Sequence, residues 1–228
     1  MNMAKVIIFG GGGIGWVLWG MSVVTLAFII QYLVSIRRAN IMPGEILAQI
    51  QGLFDSRQYR EAIELTAVDT SFLSYTVHAA LGEAAHGYGA MERAMEEAAN
   101  ERTAKLLRQV EWLNLFGNIS PMLGLLGTVW GMILAFFQIV EKGGTPNPGD
   151  LAGAIGIALV TTLQGLVVAI PALGVYGLLR NRIDALSGEA IVASQELIST
   201  FRPGGSAKRP AAEKAPEKAP EKAPEKPA

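Results

Sequence analysis

Three hydroxyl groups lie deep inside uncharged sequence: Thr128 in the run 112–140, and Thr161 and Thr162 in the run 151–179. Threonine does not change charge near neutral pH, so it cannot carry a proton by titrating. It can orient water or an ion, or bond a carbonyl of its own helix. Neither run contains Asp, Glu, Lys, Arg or His, and nor does a third run at 6–36. A proton crossing here therefore needs a carboxylate from another chain. If the two threonine-bearing runs are antiparallel helices, Thr128 is sixteen residues in from Trp112 and Thr162 seventeen in from Leu179. At ~1.5 Å per residue the two hydroxyls then share a level to within about 2 Å, near mid-membrane.

Prolines and small residues follow the same register. Pro121 is nine residues in and Pro171 eight in, so paired kinks fall at one depth, where threonine hydroxyls can help satisfy carbonyls freed by proline. Gly117, Gly124 and Gly131 repeat every seven residues, with Gly127 between them and Thr128 flanked by Gly124 and Gly131. On the other run, Ala154, Ala158, Thr162, Gly165 and Ala169 follow steps of three and four. Such stripes let helix backbones approach closely. Two readings stand at this point: plain helix packing, with the threonines bonded to their own helices, or a polar path. Gln164, the other strongly polar side chain deep in the last run, can glue helices or line that path.

The elements that must position these residues are membrane helices. Half of the 228 residues are hydrophobic and only 17% are charged, with a mean hydropathy of +0.33. This is membrane composition. A net charge of −1 argues against a nucleic-acid partner, which calls for a basic face. With no cysteine, thiolate catalysis, disulfides and zinc-thiolate sites are excluded. His78 and His86 lie eight apart in a polar stretch and read as solvated helix histidines, so no metal or cofactor is expected. No catalytic constellation is apparent, and enzyme activity is not expected. Glu96, Glu97 and Glu101 read as a solvated helix face rather than an ion funnel.

The first run opens with Gly10, Gly12 and Gly15, a G-x-G-x-x-G pattern after KVIIF. The residues after Gly15 are apolar on every face, and the next acidic residue is Glu45, too far away for a dinucleotide fold. The run is also too long for a signal-peptide core and lacks a small-x-small cleavage site before Arg37. It reads as a retained span, helical from about Ile14 after a flexible glycine entry.

The expected fold is all-α: a polytopic membrane protein with three transmembrane helices and long helices extending into the cytoplasm. Arg37 and Arg38, the cations before the second run, and Arg180 and Arg182 after the third place those ends in the cytoplasm, whereas 141–150 carries one Lys. The layout is then a periplasmic segment 1–13, spans at 14–36, 112–140 and 151–179, a cytoplasmic helical insert 37–111, and a periplasmic hairpin 141–150. A cytoplasmic helical extension 180–202 precedes the EKAP-repeat tail 203–228, whose composition cannot form a packed core. Pro43, Gly52 and the Gly87-Tyr88-Gly89 stretch punctuate the insert. Its last helix, from Ala90, is expected to continue unbroken into the second span.

The segments GNISPMLGLLGTVWGMILAFF and GIALVTTLQGLVVAIPALGVY resemble the ExbB/TolQ/MotA proton-channel family, in detail over 106–182. The three-span layout looks like ExbB or TolQ, since MotA-type members have four spans. The resemblance implies a bacterial inner-membrane homopentamer with Thr128 and Thr162 on its pore-lining helices. It further implies an ExbD- or TolR-like single-span partner that supplies a proton-carrying aspartate, and a TonB- or TolA-like protein that receives the work. Many ExbB members carry a glutamate five residues before the third-span threonine; here that position is Ile157. The alternative is a non-conducting oligomeric scaffold in the lipid bilayer.

Overall fold

The structure, a computed structural model, describes residues 11–141, 143–144 and 148–202. Most of the glycine-rich N-terminal segment, part of the 141–150 hairpin and the EKAP tail lie outside the described residues. Among the described residues every regular element is helical. Helix α1 (Gly12–Ser35) is followed by four short helices, α2 (Arg38–Ile41), α3 (Gly44–Asp55), α4 (Tyr59–Val68) and α5 (Phe72–Gly82). A 3₁₀ turn at Ala84–His86 then leads into two long helices, α6 (Tyr88–Glu141) and α7 (Pro148–Ser199). Three of the helices, α1, α6 and α7, are long and apolar enough to cross a membrane.

Helix α6 has 54 residues and α7 has 52. At ~1.5 Å per residue each is about 80 Å long, against a hydrocarbon layer of ~30 Å. They pack along each other as an antiparallel pair, so with spans at 112–140 and 151–179 both project about 30–35 Å beyond one membrane face. That face carries the insert. Pro121 and Pro171 lie inside the long helices, which run through them unbroken. Each proline withholds one donor, freeing the carbonyls of Gly117 and Val167. The threonine hydroxyls do not turn to these carbonyls; they bond instead to carbonyls nearer mid-span.

The core sits in the projecting half. Ile36, Ile50, Leu73, Val77, Met91, Met95, Val110, Leu113, Leu179, Ile183 and Ile198 pack there, all at most 1% exposed. The far end of α7 is anchored through Phe201, whose ring lies 5.5 Å from Phe54 and 4.9 Å from Tyr59. Ser71 caps α5 by accepting from the Ser74 backbone N–H at 3.2 Å. Gly87, at φ +88°, takes a backbone conformation that side chains resist and turns the chain into α6.

Three local expectations change. Gly52 lies inside α3 rather than ending it; the helix stops at Ser56, followed by Arg57 in the left-handed region at φ 59°. Helix α1 begins at Gly12, two residues before Ile14; Gly12 itself takes φ +57°, in the left-handed region that glycine enters freely. His78 is not a solvated histidine: it is half-buried, with Nδ1 3.1 Å from the Thr66 hydroxyl. His86, by contrast, is exposed and pairs with Glu83 at 2.8 Å.

Candidate functional site

The α6–α7 seam is built on the absence of side chains. A Cβ on Gly165 would lie 2.6 Å from the Ser120 carbonyl, and one on Gly124 would lie 3.0 Å from the Thr161 carbonyl. A Cβ on Gly131 would lie 2.9 Å from the Ala158 Cβ, and one on Gly127 would collide with the Thr161 side chain. Backbone thus meets backbone over the middle of the span, which substitution cannot accommodate by a rotamer change. All four glycines are buried.

The threonines divide within this seam. Thr161, 1% exposed, sits in the groove over Gly127 and donates to the Ala158 carbonyl at 2.8 Å, with a longer 3.4 Å approach to the Gly124 carbonyl. Thr162, half-buried, approaches the same Gly124 carbonyl at 3.4 Å. Thr128, also half-buried, donates to its own helix at Leu125, 2.6 Å away. The structure therefore gathers Thr161 and Thr162 around Gly124, and turns Gly127 rather than Thr128 towards Thr161. Among the described residues no hydrogen bond joins Thr128 to Thr162.

Helix α1 closes one flank of the pair. Gln164, 7% exposed, lies against the entry glycines of α1; a Cβ on Gly15 would sit 2.8 Å from its Oε1. Phe28 of α1 stacks on Phe116 of α6 at 5.9 Å. At 100° per residue, Thr162 is about 160° round α7 from Gln164, and Thr128 about 120° round α6 from Phe116. Both hydroxyls therefore belong to the flank turned away from α1. Gln164 joins helices on the other one.

The open flank has a polar inner end that sequence reasoning missed. Asn118 donates to the backbone carbonyl and the side-chain oxygen of Asn114, each at 2.8 Å. Asn114 donates to Glu111 Oε1 at 2.6 Å, and Tyr176 of α7 donates to Glu111 Oε2 at 3.0 Å. Arg180 donates to the Tyr176 hydroxyl at 3.4 Å. A search for charges passes over Asn114 and Asn118; their spacing of four, one turn beyond Glu111, was the available signal.

Two groups of the insert, Asp69 and Tyr75, titrate away from their ordinary ranges. Partial burial acts to raise the Asp69 pKa, but hydrogen bonds from Ser71 and Ser74 outweigh it and hold the carboxyl below the usual range. Tyr75 donates to Glu101 at 2.9 Å, and that bond, aided by desolvation and the Glu101 charge, raises its phenol. Arg102 lies over the Tyr75 ring and donates to the Thr70 carbonyl at 2.7 Å. Glu101 therefore helps tie α5 to α6, while Glu96 and Glu97 are exposed.

Residues 65–190, more than half of the chain, match the MotA/TolQ/ExbB proton channel family. The chain belongs to this family. It is 48% identical over 60 residues to the biopolymer transport protein exbB1 of Vibrio cholerae, 26% of each chain. It is 37% identical over 128 residues to the biopolymer transport protein ExbB of Xanthomonas campestris, 56% of this chain and 50% of that one. To the Tol-Pal system protein TolQ of Haemophilus influenzae it is 38% identical over 95 residues, 41% of each. These matches span from about a quarter to half of the relatives' own lengths. Ile157, 40% exposed, keeps the stretch before Thr161 and Thr162 apolar.

Proposed function

We propose that the chain is an ExbB/TolQ-like subunit of an inner-membrane motor driven by the proton-motive force. It forms a pore-lining oligomer, a pentamer by family resemblance, around an ExbD- or TolR-like single-span partner. Its N-terminus is periplasmic, and the insert and C-terminus are cytoplasmic. The work passes through a TonB- or TolA-like effector to transport or other envelope tasks. The subunit itself is not an enzyme.

The observation that carries this reading is the open flank of the α6–α7 pair. It presents Thr128 and Thr162 near mid-membrane, yet the uncharged runs contain no side chain that titrates near neutral pH. Hydroxyls can hold water and orient a carboxylate, but the proton must ride on a group this chain lacks. A partner aspartate at their level completes the path. Because helix α6 passes from the membrane into the insert, and α7 into the C-terminal extension, without a break, movement of the wall is delivered directly to the cytoplasmic side.

A non-conducting scaffold is the competing reading, and the Thr128 and Thr161 bonds to their own helices favour it. Thr128→Val and Thr162→Val discriminate, since valine keeps the shape and removes the hydroxyl. Each is expected to reduce proton flux through reconstituted complexes while the oligomer still assembles on native gels. Full flux in both variants sinks the motor reading. A motor subunit is also expected to co-purify with a single-span protein bearing an aspartate in its helix.

A further inference from the structure

The threonines occupy mid-membrane, and a path through them must still reach water. On the same flank, below them, every donor in one hydrogen-bonded chain points towards Glu111: Asn118 to Asn114, Asn114 and Tyr176 to the two carboxylate oxygens, and Arg180 to Tyr176. Asn118 lies about 160° round α6 from Phe116, so it too faces away from α1. It is exposed, and six residues inside Trp112 it lies ~9 Å along the span. A carboxamide facing hydrocarbon costs several kcal/mol, because lipid cannot replace its bonds to water. Asn114 and Asn118 together therefore mark a flank that does not meet lipid at this depth.

We infer that Glu111, Asn114, Asn118, Tyr176 and Arg180 form a hydrated inner mouth, with Glu111 passing protons between the water below the threonines and the bulk. The inference rests on the proton-path reading of Thr128 and Thr162. As a proton flows towards the cytoplasm, a hydronium below the threonines gives it to a Glu111 oxygen, one O–H bond breaking as another forms, and the carboxyl then releases it to bulk water. Nothing is oxidised or reduced. The two asparagines do not titrate; they keep the mouth wet and hold the Glu111 carboxylate in place. Tyr176 ties that carboxylate to the second wall and sets it against the Arg180 charge.

The cysteine-free sequence makes this directly testable. Asn118→Cys, Val23→Cys and Arg60→Cys are placed singly in the full chain, produced with its native partners, in inverted membrane vesicles. A charged, membrane-impermeant thiosulfonate probes each. Val23 lies 67% exposed on α1, and the Arg60 side chain is 92% exposed on the insert. Only a hydrated thiol forms the reactive thiolate, so Asn118→Cys is expected to react within about tenfold of Arg60→Cys while Val23→Cys stays inert. A cysteine at 118 as inert as one at 23 overturns the mouth.

Proton flux supplies the second arm. Glu111→Gln is expected to lower flux about tenfold with the oligomer intact, and Glu111→Asp to restore it. Full flux in Glu111→Gln alongside reduced flux in Thr128→Val overturns the role of Glu111 and leaves the motor reading standing. Full flux in Glu111→Gln, Thr128→Val and Thr162→Val overturns both. Should Glu111→Gln fail to assemble, the labelling of Asn118→Cys decides.

Discussion

The same two helices meet each other twice, by opposite means. In the membrane half, Ser120, Gly124, Gly127 and Gly131 face Ala154, Ala158, Thr161 and Gly165, while bulky residues such as Val129, Phe136, Leu159 and Ile170 point outwards. In the projecting half the pattern inverts: Val110, Leu113, Leu179 and Ile183 are buried among Leu73, Val77, Met91 and Met95 of the insert. The difference tracks the solvent. Water drives large apolar groups inwards, at roughly 25 cal/mol per Å² buried. Hydrocarbon gives no such drive, so association there depends on how closely two backbones approach. One continuous helix thus carries two packing codes in series, and the change comes near Leu113, where the insert meets the membrane.

Substitutions should break the two halves by different routes. The largest effect is expected from Gly165→Val, whose Cβ must displace the Ser120 carbonyl: about 3 kcal/mol or more, seen as loss of the assembled oligomer on native gels. Next comes Leu113→Ala, which leaves a cavity in the water-side core and should cost about 2–5 kcal/mol in thermal unfolding of the solubilised protein. If Gly165→Val is tolerated better than Leu113→Ala, the claim of backbone contact in the membrane half fails. Thr161→Val keeps the side-chain shape and removes the bond to Ala158, so a loss of about 1 kcal/mol or less is expected in the same unfolding measurement.

The smallest effect sharpens the water-side half through pH. The Asp69 pKa is depressed in the folded state, so its contribution is fully present above the unfolded value near 4 and is lost as pH falls through the folded value. Thermal unfolding between pH 6 and pH 3 is therefore expected to show an acid-side loss that Asp69→Asn diminishes. An identical pH profile in that variant removes Asp69 from the account.

Charge-free length made the three apolar helices legible in the sequence, and the strong helix formers from Ala90 onwards foretold an α6 that runs on into the span. Glycine spacing pointed to a close seam. Which residue enters it was less legible, because Gly127 and Thr128 are neighbours separated by 100° of helix rotation, and the crossing of α6 on α7 decides between them. Gln164 carried the same ambiguity: only the placement of α1 shows that it packs against Gly15. The inner polar chain was missed because amides do not register in a search for charges. Tyr176 meets Glu111 across 65 positions of sequence, a contact created by the antiparallel register.

The unbroken passage of α6 from Tyr88 to Glu141 has a mechanical consequence. A rod pivoting at the membrane surface displaces its far end in proportion to the length beyond the pivot. With about 35 Å projecting, each degree of tilt moves that end by roughly 0.6 Å. The antiparallel α7 braces it along its whole length, so the pair bends less than either rod alone. Tilts too small to open a gap in the glycine seam are thereby magnified into ångström-scale strokes at the far end of the insert.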